Sequence, residues 1–327
     1  MPDTPTTPLP EDAFLDQFLG AMALDLALRQ GVIDRLLAGD AMPQTKGGAI
    51  LGQMLTASGV LADGALTPAF VTVMTERRAI LEQKLRFLCL AARDVVHDLD
   101  DLLGDLPKFM GNSETFALFR YDKAMQTDAD SIAATRPWVE YVTALSHAEA
   151  PVLAPHFPLT GVARLLEVGG NTGVIAREAL RLHTGLHAAV LDLPAVCAIG
   201  RENRAHPRLT FVAGDARTPD WPQVMGKNPD AVLFKSVLHD WPDPHVNAML
   251  DRAVAHLAPG GRIIICERGA FGGGSMPFSM TANLVFAPFY RPPEFYQAAF
   301  AARGLTDITQ SDVDMDMRFH IVSGRKP

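Results

Sequence analysis

The stretch Leu165-Leu166-Glu167-Val168-Gly169-Gly170-Asn171-Thr172-Gly173-Val174-Ile175-Ala176 reads as strand, tight turn, helix. A short apolar run bounded by glycines gives way to helical spacing through Val174, Ala176, Ala179 and Leu180. Such a run suits the buried first strand of a parallel sheet. Gly169, Gly170 and Gly173 are expected to let a ligand approach the backbone where a side chain would collide. The following helix offers unpaired N–H groups at its start.

The same architecture carries dinucleotides, so that reading is tested first. Counted from Gly169, the dinucleotide spacing requires glycines at 171 and 174, and the chain has Asn171 and Val174. The pattern that remains is an acidic residue near the strand end followed by Gly-x-x-x-Gly. Glu167 there would repel a pyrophosphate and suit a cationic ligand.

A chain of 327 residues with 48% hydrophobic content can bury a substantial core in one large or two ordinary domains. A net charge of −8 without a basic cluster disfavours nucleic acid and anionic membrane surfaces as partners. Cys89, Cys197 and Cys266 are far apart, each in an apolar segment, and are expected to be buried thiols in a reducing, cytoplasmic setting. Residues 1–10, rich in Pro and Thr and lacking Lys and Arg, read as a disordered tail, and no apolar run reaches membrane-spanning length.

From Glu11 to about Leu37, Phe14, Phe18, Met22, Leu26 and Leu36 fall near helical spacing, with Gly31 breaking the run. Ala49 to Val60 is expected to be a helix and Gly59 to Met74 a hairpin turning at Asp63-Gly64, which makes a winged-helix-like unit. The presumed recognition segment, Ala49 to Ser58, has no Lys or Arg, so burial against a second subunit is the better use of it. Further helices are expected to about residue 150, with His97 and His147 as packed or exposed residues that could contact a substrate. Pro151, Pro155 and Pro158 are expected to stop the helices and mark the start of a second domain.

After that point strands and helices alternate, which implies a parallel sheet with helices on both faces. Expected strands run Arg164 to Val168, His187 to Leu191, Leu209 to Ala213, Ala231 to Ser236 and Arg262 to Cys266, followed by two near Asp307 to Thr309 and Arg318 to Ser323. Glu167, Asp192, Asp215 and Glu267 all fall at carboxyl ends of strands, where open α/β sheets bind ligands. Asp192 suits the two ribose hydroxyls of an adenosine and Asp215 its amino group; the alternative is that such carboxylates only cap helices.

Leu191-Asp192-Leu193-Pro194, Gly214-Asp215-Ala216, Phe234-Lys235-Ser236-Val237-Leu238-His239-Asp240-Trp241-Pro242-Asp243 and Leu257-Ala258-Pro259-Gly260-Gly261-Arg262 follow in order. With the glycine-rich stretch, this series resembles the caffeate-type small-molecule O-methyltransferases, which are class I S-adenosylmethionine-dependent enzymes. The resemblance implies an α/β, Rossmann-like domain (151–327) with a seven-stranded, mostly parallel sheet. It also implies a mostly helical, winged-helix-like dimerisation domain (11–150) and a homodimer. S-adenosyl-L-methionine would be the cofactor and S-adenosyl-L-homocysteine its product. Glu167, Gly169, Gly170, Gly173, Asp192, Leu193, Asp215, Ala216, Lys235 and Trp241 would hold the cofactor, His239 would be the catalytic base, and Glu267 its acidic partner; no metal is implied.

A sulfonium methyl is already activated, so the protein has to align the acceptor and remove its proton. An imidazole with an ordinary pKa near about 6.5 is mostly neutral at neutral pH and can do so, and an oxygen acceptor needs this help most. One departure stands out: the family's second glutamate beside the histidine falls, by a simple register, at Phe289 in Leu284 to Phe295. Either the base is clamped from one side or the acceptor is unusual, which keeps transfer to sulfur, nitrogen or carbon, and a non-methylating role, as alternatives. Met276, Phe278, Met280, Phe286, Phe289 and Tyr290 suggest an apolar wall for a small acceptor.

Overall fold

The computed structural model describes residues 9–202, 206–269 and 276–327. Eight of the ten residues of the expected N-terminal tail lie outside that range. The chain divides into two compact units, one comprising Leu118–Gly272 and Phe286–Pro327, the other Thr7–Ala117 and Gly273–Val285.

The second of these is helical, with a two-stranded antiparallel hairpin of β1 (Leu61–Ala62) and β2 (Ala65–Leu66). The hairpin is shorter than expected because Thr67 accepts a hydrogen bond from the N–H of Phe70 and, with Pro68 at the first position, starts a helix over Pro68–Glu76. The preceding helix runs Lys46–Ala57, beginning three residues earlier than expected because Thr45 caps it. Phe14, Leu24, Ile33, Leu55, Phe70, Leu81 and Leu88 form this unit's core. Gly31, at a φ of 66°, makes the left-handed corner between the helices Phe18–Arg29 and Val32–Leu37.

In the other unit a seven-stranded sheet has the order β5-β4-β3-β6-β7-β9-β8. Its strands are β3 (Arg164–Val168), β4 (His187–Asp192), β5 (Leu209–Ala213), β6 (Ala231–Lys235), β7 (Arg262–Arg268), β8 (Thr306–Asp314) and β9 (Arg318–Arg325). The first five are parallel; β9 runs antiparallel to β7 and β8 antiparallel to β9. The last two strands extend well beyond the expected segments because they form a long edge hairpin. Fully buried Leu166, Val168, Val232, Phe234, Ile263 and Ile265 face Met249, Leu250 and Phe300 of the covering helices, and a buried side chain of this size contributes about 1.5–3 kcal/mol.

The helix Ala129–Leu153 belongs to this unit, packing Trp138 and Val139 onto Ala195, Val196 and Ile199 of the helix Pro194–Glu202. Packing therefore divides the chain near residue 117, where the proline-rich segment suggested a division near 150. Pro151 and Pro137 lie inside that helix, so the expected stop comes later, at Leu153. Among the described residues no helix is long and apolar enough to cross a membrane, and no group of three or more His, Cys, Asp or Glu could hold a metal ion.

Candidate active site

The strand order reverses between β3 and β6, so the loops leaving their carboxyl ends diverge around a crevice. One loop is the glycine-rich turn after β3. The other runs from Ser236 to Asp243 after β6 and carries His239 on a single 3-10 turn, Leu238–Asp240.

Glu167 is 2% exposed, and its Oε2 accepts one backbone hydrogen bond, from Ala176 at 3.1 Å, at the start of the helix Val174–Leu182. Burial pushes its carboxyl up to about 8, against which that bond and the more distant Lys235 work only partly. Asp192 accepts from the N–H groups of Leu193 and Asn171, both at 2.7 Å, and burial pushes it up to about 6. A buried and a half-buried carboxyl group thus lie at the ends of adjacent strands, an acceptor set that fits a cationic ligand bearing hydroxyls.

The glycines have a packing reason of their own. A Cβ on Gly169 would lie 2.6 Å from Val237 Cγ2, and one on Gly170 would lie 2.6 Å from Glu167 Cδ. Gly173, at a φ of 74°, is the left-handed residue that starts the helix. A side chain at Gly169 or Gly170 would thus collide with this protein's own side chains. Asn171 also adopts left-handed backbone, φ 51°, which Asn tolerates better than most residues. Its side chain binds Thr143 and the carbonyl of Val139, tying the loop to the helix Ala129–Leu153.

Asp215 is engaged by Arg217, whose guanidinium pairs with it at 2.6 Å and lies 4.5 Å from the centroid of the Trp241 ring. The Arg217 hydrogen bonds hold Asp215 below its ordinary value in spite of partial burial. Leu193 and Ala216 flank these carboxylates in sequence, and Ala216 packs on the sheet core. Trp241 stacks on Tyr121 with centroids 5.9 Å apart. Lys235, expected beside the cofactor, is buried in an ion pair with Glu149, which also binds Arg268. Both cations lie over the Phe319 ring.

Near the end of β7, Glu267 is 1% exposed and engaged at both oxygens. Its Oε1 accepts from the N–H groups of Val237 and Leu238 at 2.9 and 2.8 Å, and its Oε2 meets His239 Nδ1 at 2.6 Å. Burial alone would raise this carboxyl, but the imidazole and the two N–H groups outweigh it and hold it below the usual range. A carboxylate on Nδ1 fixes the proton there and leaves Nε2 as the basic atom. His239 itself would be lowered by burial; Glu267 and then Asp240 overcome that and lift it above its ordinary 6.5. The neutral fraction at pH 7 is therefore smaller than the sequence alone suggested.

No carboxylate from Leu284–Phe295 meets the imidazole; from that segment come the rings of Tyr290 at 5.5 Å and Phe286 at 6.3 Å. The second carboxylate near His239 is Asp240, with Oδ1 3.5 Å from Nε2. The expected apolar wall is thus divided: Phe286 and Tyr290 stand by His239, while Phe278 packs edge-on against Phe18 in the helical unit. His147 is exposed on the helix Ala129–Leu153, and His97 is exposed in the helical unit.

Sequence reasoning missed Asp240, Tyr121, Arg217 and Arg291. Arg291 secures the His239 loop through the carbonyls of Leu238 at 2.9 Å and Trp241 at 2.6 Å and the Asp243 carboxylate at 2.8 Å. Only Asp240 carried a signal, its place next to His239.

The sequence profile of the O-methyltransferase domain matches residues 118–282. A 3-hydroxy-5-methyl-1-naphthoate 3-O-methyltransferase of Streptomyces sahachiroi is 28% identical over 259 residues, 75% of this chain and 72% of that enzyme. The demethylspheroidene O-methyltransferase of Rhodobacter capsulatus is 32% identical over 161 residues; the match spans 46% of this chain and 38% of that enzyme. Among solved structures, an O-methyltransferase from neocarzinostatin biosynthesis, in complex with S-adenosylmethionine and 2-hydroxy-5-methyl naphthoic acid, superimposes with a TM-score of 0.68. That superposition covers 96% of this chain and 98% of the other at 18% identity, a likeness of fold.

Proposed function

The chain belongs to the O-methyltransferase domain family, and we propose that it transfers a methyl group from S-adenosylmethionine to a hydroxyl of a small, partly apolar molecule, with His239 as general base. The observation that carries this reading is the His239 Nδ1 to Glu267 Oε2 contact of 2.6 Å, which leaves Nε2 as the basic atom on the loop beside the strand that carries the partly compensated Glu167.

Glu167 and Asp192 are the residues we assign to the cofactor, together with the turn Gly169–Gly173, Leu193, Asp215, Ala216 and Trp241. The buried carboxyl of Glu167 is suited to positive charge, and the Asp192 oxygens, each with one N–H donor, keep capacity for hydroxyl groups. When bound, S-adenosylmethionine supplies a methyl group already activated for displacement. His239 Nε2 then removes the acceptor proton, and Glu267, held by the N–H groups of Val237 and Leu238, stabilises the imidazolium. Phe286 and Tyr290 keep water from that proton and offer apolar rings to the acceptor. Lys235, engaged by Glu149, ties the end of β6 to the helix Ala129–Leu153.

Replacing His239 by Ala should lower turnover by about 10²–10⁴-fold, as expected for a general base. Unchanged turnover on a verified acceptor would remove His239 from the role, and mass spectrometry of the product from methyl-labelled cofactor would locate the methyl. The helical unit exposes Phe18, Leu19, Ile50, Val96 and Leu103, which supports burial in a homodimer; a monomer by light scattering at micromolar concentration would oppose it. Free, buried thiols at Cys89, Cys197 and Cys266 support a reducing, cytoplasmic setting.

A further inference from the structure

The imidazole of His239 has two nitrogens and, on its Nδ1 side, a carboxylate that is already engaged at both oxygens. Glu267 spends one oxygen on two N–H groups and the other on Nδ1. On the Nε2 side lies Asp240, whose Oδ1 is 3.5 Å away, longer than a hydrogen bond. That distance suits a neutral imidazole, because Nε2 without a proton and a carboxylate oxygen are both acceptors and have nothing to share. Once Nε2 takes a proton, the same pair becomes a charge-assisted donor and acceptor a few tenths of an ångström from contact.

The other oxygen of Asp240 is held. Tyr121 donates its hydroxyl to Oδ2 at 3.0 Å, and the Tyr121 ring cannot swing away: it stacks on Trp241 at 5.9 Å and stands edge-on to Trp138 at 5.4 Å. The Asp240 side chain keeps 26% of its surface open, so without that hydroxyl its carboxylate is free to turn toward solvent.

We propose that Asp240, aimed by the Tyr121 hydroxyl, is the second carboxylate of the catalytic imidazole and stabilises it only after proton transfer. Asp240 and Tyr121 are thus positioning residues, and they fill from within the His239 motif the place that Phe289 and its neighbours leave without a carboxylate. An interaction that strengthens after the proton moves lowers the barrier rather than merely tightening binding.

Burial, with Glu267, raises Asp240 above its ordinary value, while His239 and the Tyr121 hydroxyl favour its ionised form. His239 faces Glu267 and Asp240, which favour its protonated form, Arg268, which opposes it, and the Tyr290 ring. Asp240 faces His239, Tyr121 and Glu267, and Tyr121 also faces Asp192. The inference rests on His239 acting as the base.

Its test uses Asp240→Asn and Tyr121→Phe, the second of which keeps the ring on Trp241 and removes only the hydroxyl. The His239 imidazole would be titrated by NMR in the free enzyme, and the acid limb of kcat against pH measured with a verified acceptor. In Asp240→Asn the His239 midpoint should fall by about one pH unit, with kcat about tenfold lower and KM little changed. Tyr121→Phe should move both in the same direction by a smaller amount, and it decides the matter alone if Asp240→Asn does not fold. Midpoints identical to wild type in the folded variants would overturn the proposal. If His239→Ala is inactive in that case, only the role of Asp240 fails; if His239→Ala keeps its turnover, the base reading fails with it.

Discussion

Glu167 on β3 and Glu267 on β7 stand in the same kind of place, buried near the carboxyl end of a parallel strand, yet their charge states are opposite. Burial pushes Glu167 up to about 8, with one backbone N–H against it. Glu267 meets the same burial with two N–H groups and an imidazole and stays below the ordinary carboxylate range. The difference lies in what the fold supplies. Around Glu267 the donors outweigh burial, as orienting a base requires; around Glu167 one N–H and the charge of Lys235 offset burial only partly, and in our proposal a cationic ligand supplies the rest.

This contrast can be broken at either end. Glu267→Gln should have the largest effect, about 10²-fold or more in turnover. An amide cannot favour the Nδ1–H tautomer and the imidazolium as a carboxylate does. Turnover within twofold of wild type would mean that the Nδ1 contact does not orient the base. At the other end, Glu167→Gln should weaken S-adenosylmethionine about tenfold to a hundredfold by calorimetry while leaving saturated turnover nearly intact. Equal affinity in the variant would remove Glu167 from the cofactor site.

A smaller effect is expected on the ligand-free protein. A carboxyl whose folded pKa is raised from 4.5 to about 8 contributes stability that is full below its unfolded value and is lost as pH rises through about 8. Thermal melts should therefore show Glu167→Gln gaining on wild type between about pH 5 and 8, and parallel curves would contradict that. Smallest is Asn171. Asn171→Ala should cost about 1–2 kcal/mol in chemical denaturation, from a left-handed backbone and lost side-chain bonds. Asn171→Gly should cost less, because glycine adopts that backbone freely.

The same contrast describes what could be read from the sequence. Strand ends are local features: short apolar runs with an acidic residue at or near the end located Glu167, Asp192, Asp215 and Glu267 at the carboxyl edge of the sheet. His239 and Glu267 came together because β6 and β7 are adjacent and parallel. Contacts set by long-range packing were not legible. Tyr121 reaches Asp240 across 119 residues, and Glu149, which claims Lys235, comes from a helix whose Pro151, with Pro155 and Pro158 beyond it, read as a domain boundary. Asn171 looked like a defect in a glycine pattern, and only its φ and its bond to Thr143 give it a purpose.

The central claim is that the crevice awaits a cationic cofactor at Glu167 while the base at its other end is already assembled. Proton-linked calorimetry of S-adenosylmethionine binding at pH 7, in buffers of different ionisation enthalpy, tests it most directly. A carboxyl at about 8 that ionises when a positive charge arrives should release about one proton per site in wild type and none from that position in Glu167→Gln. Binding with the same proton count in both proteins would contradict it.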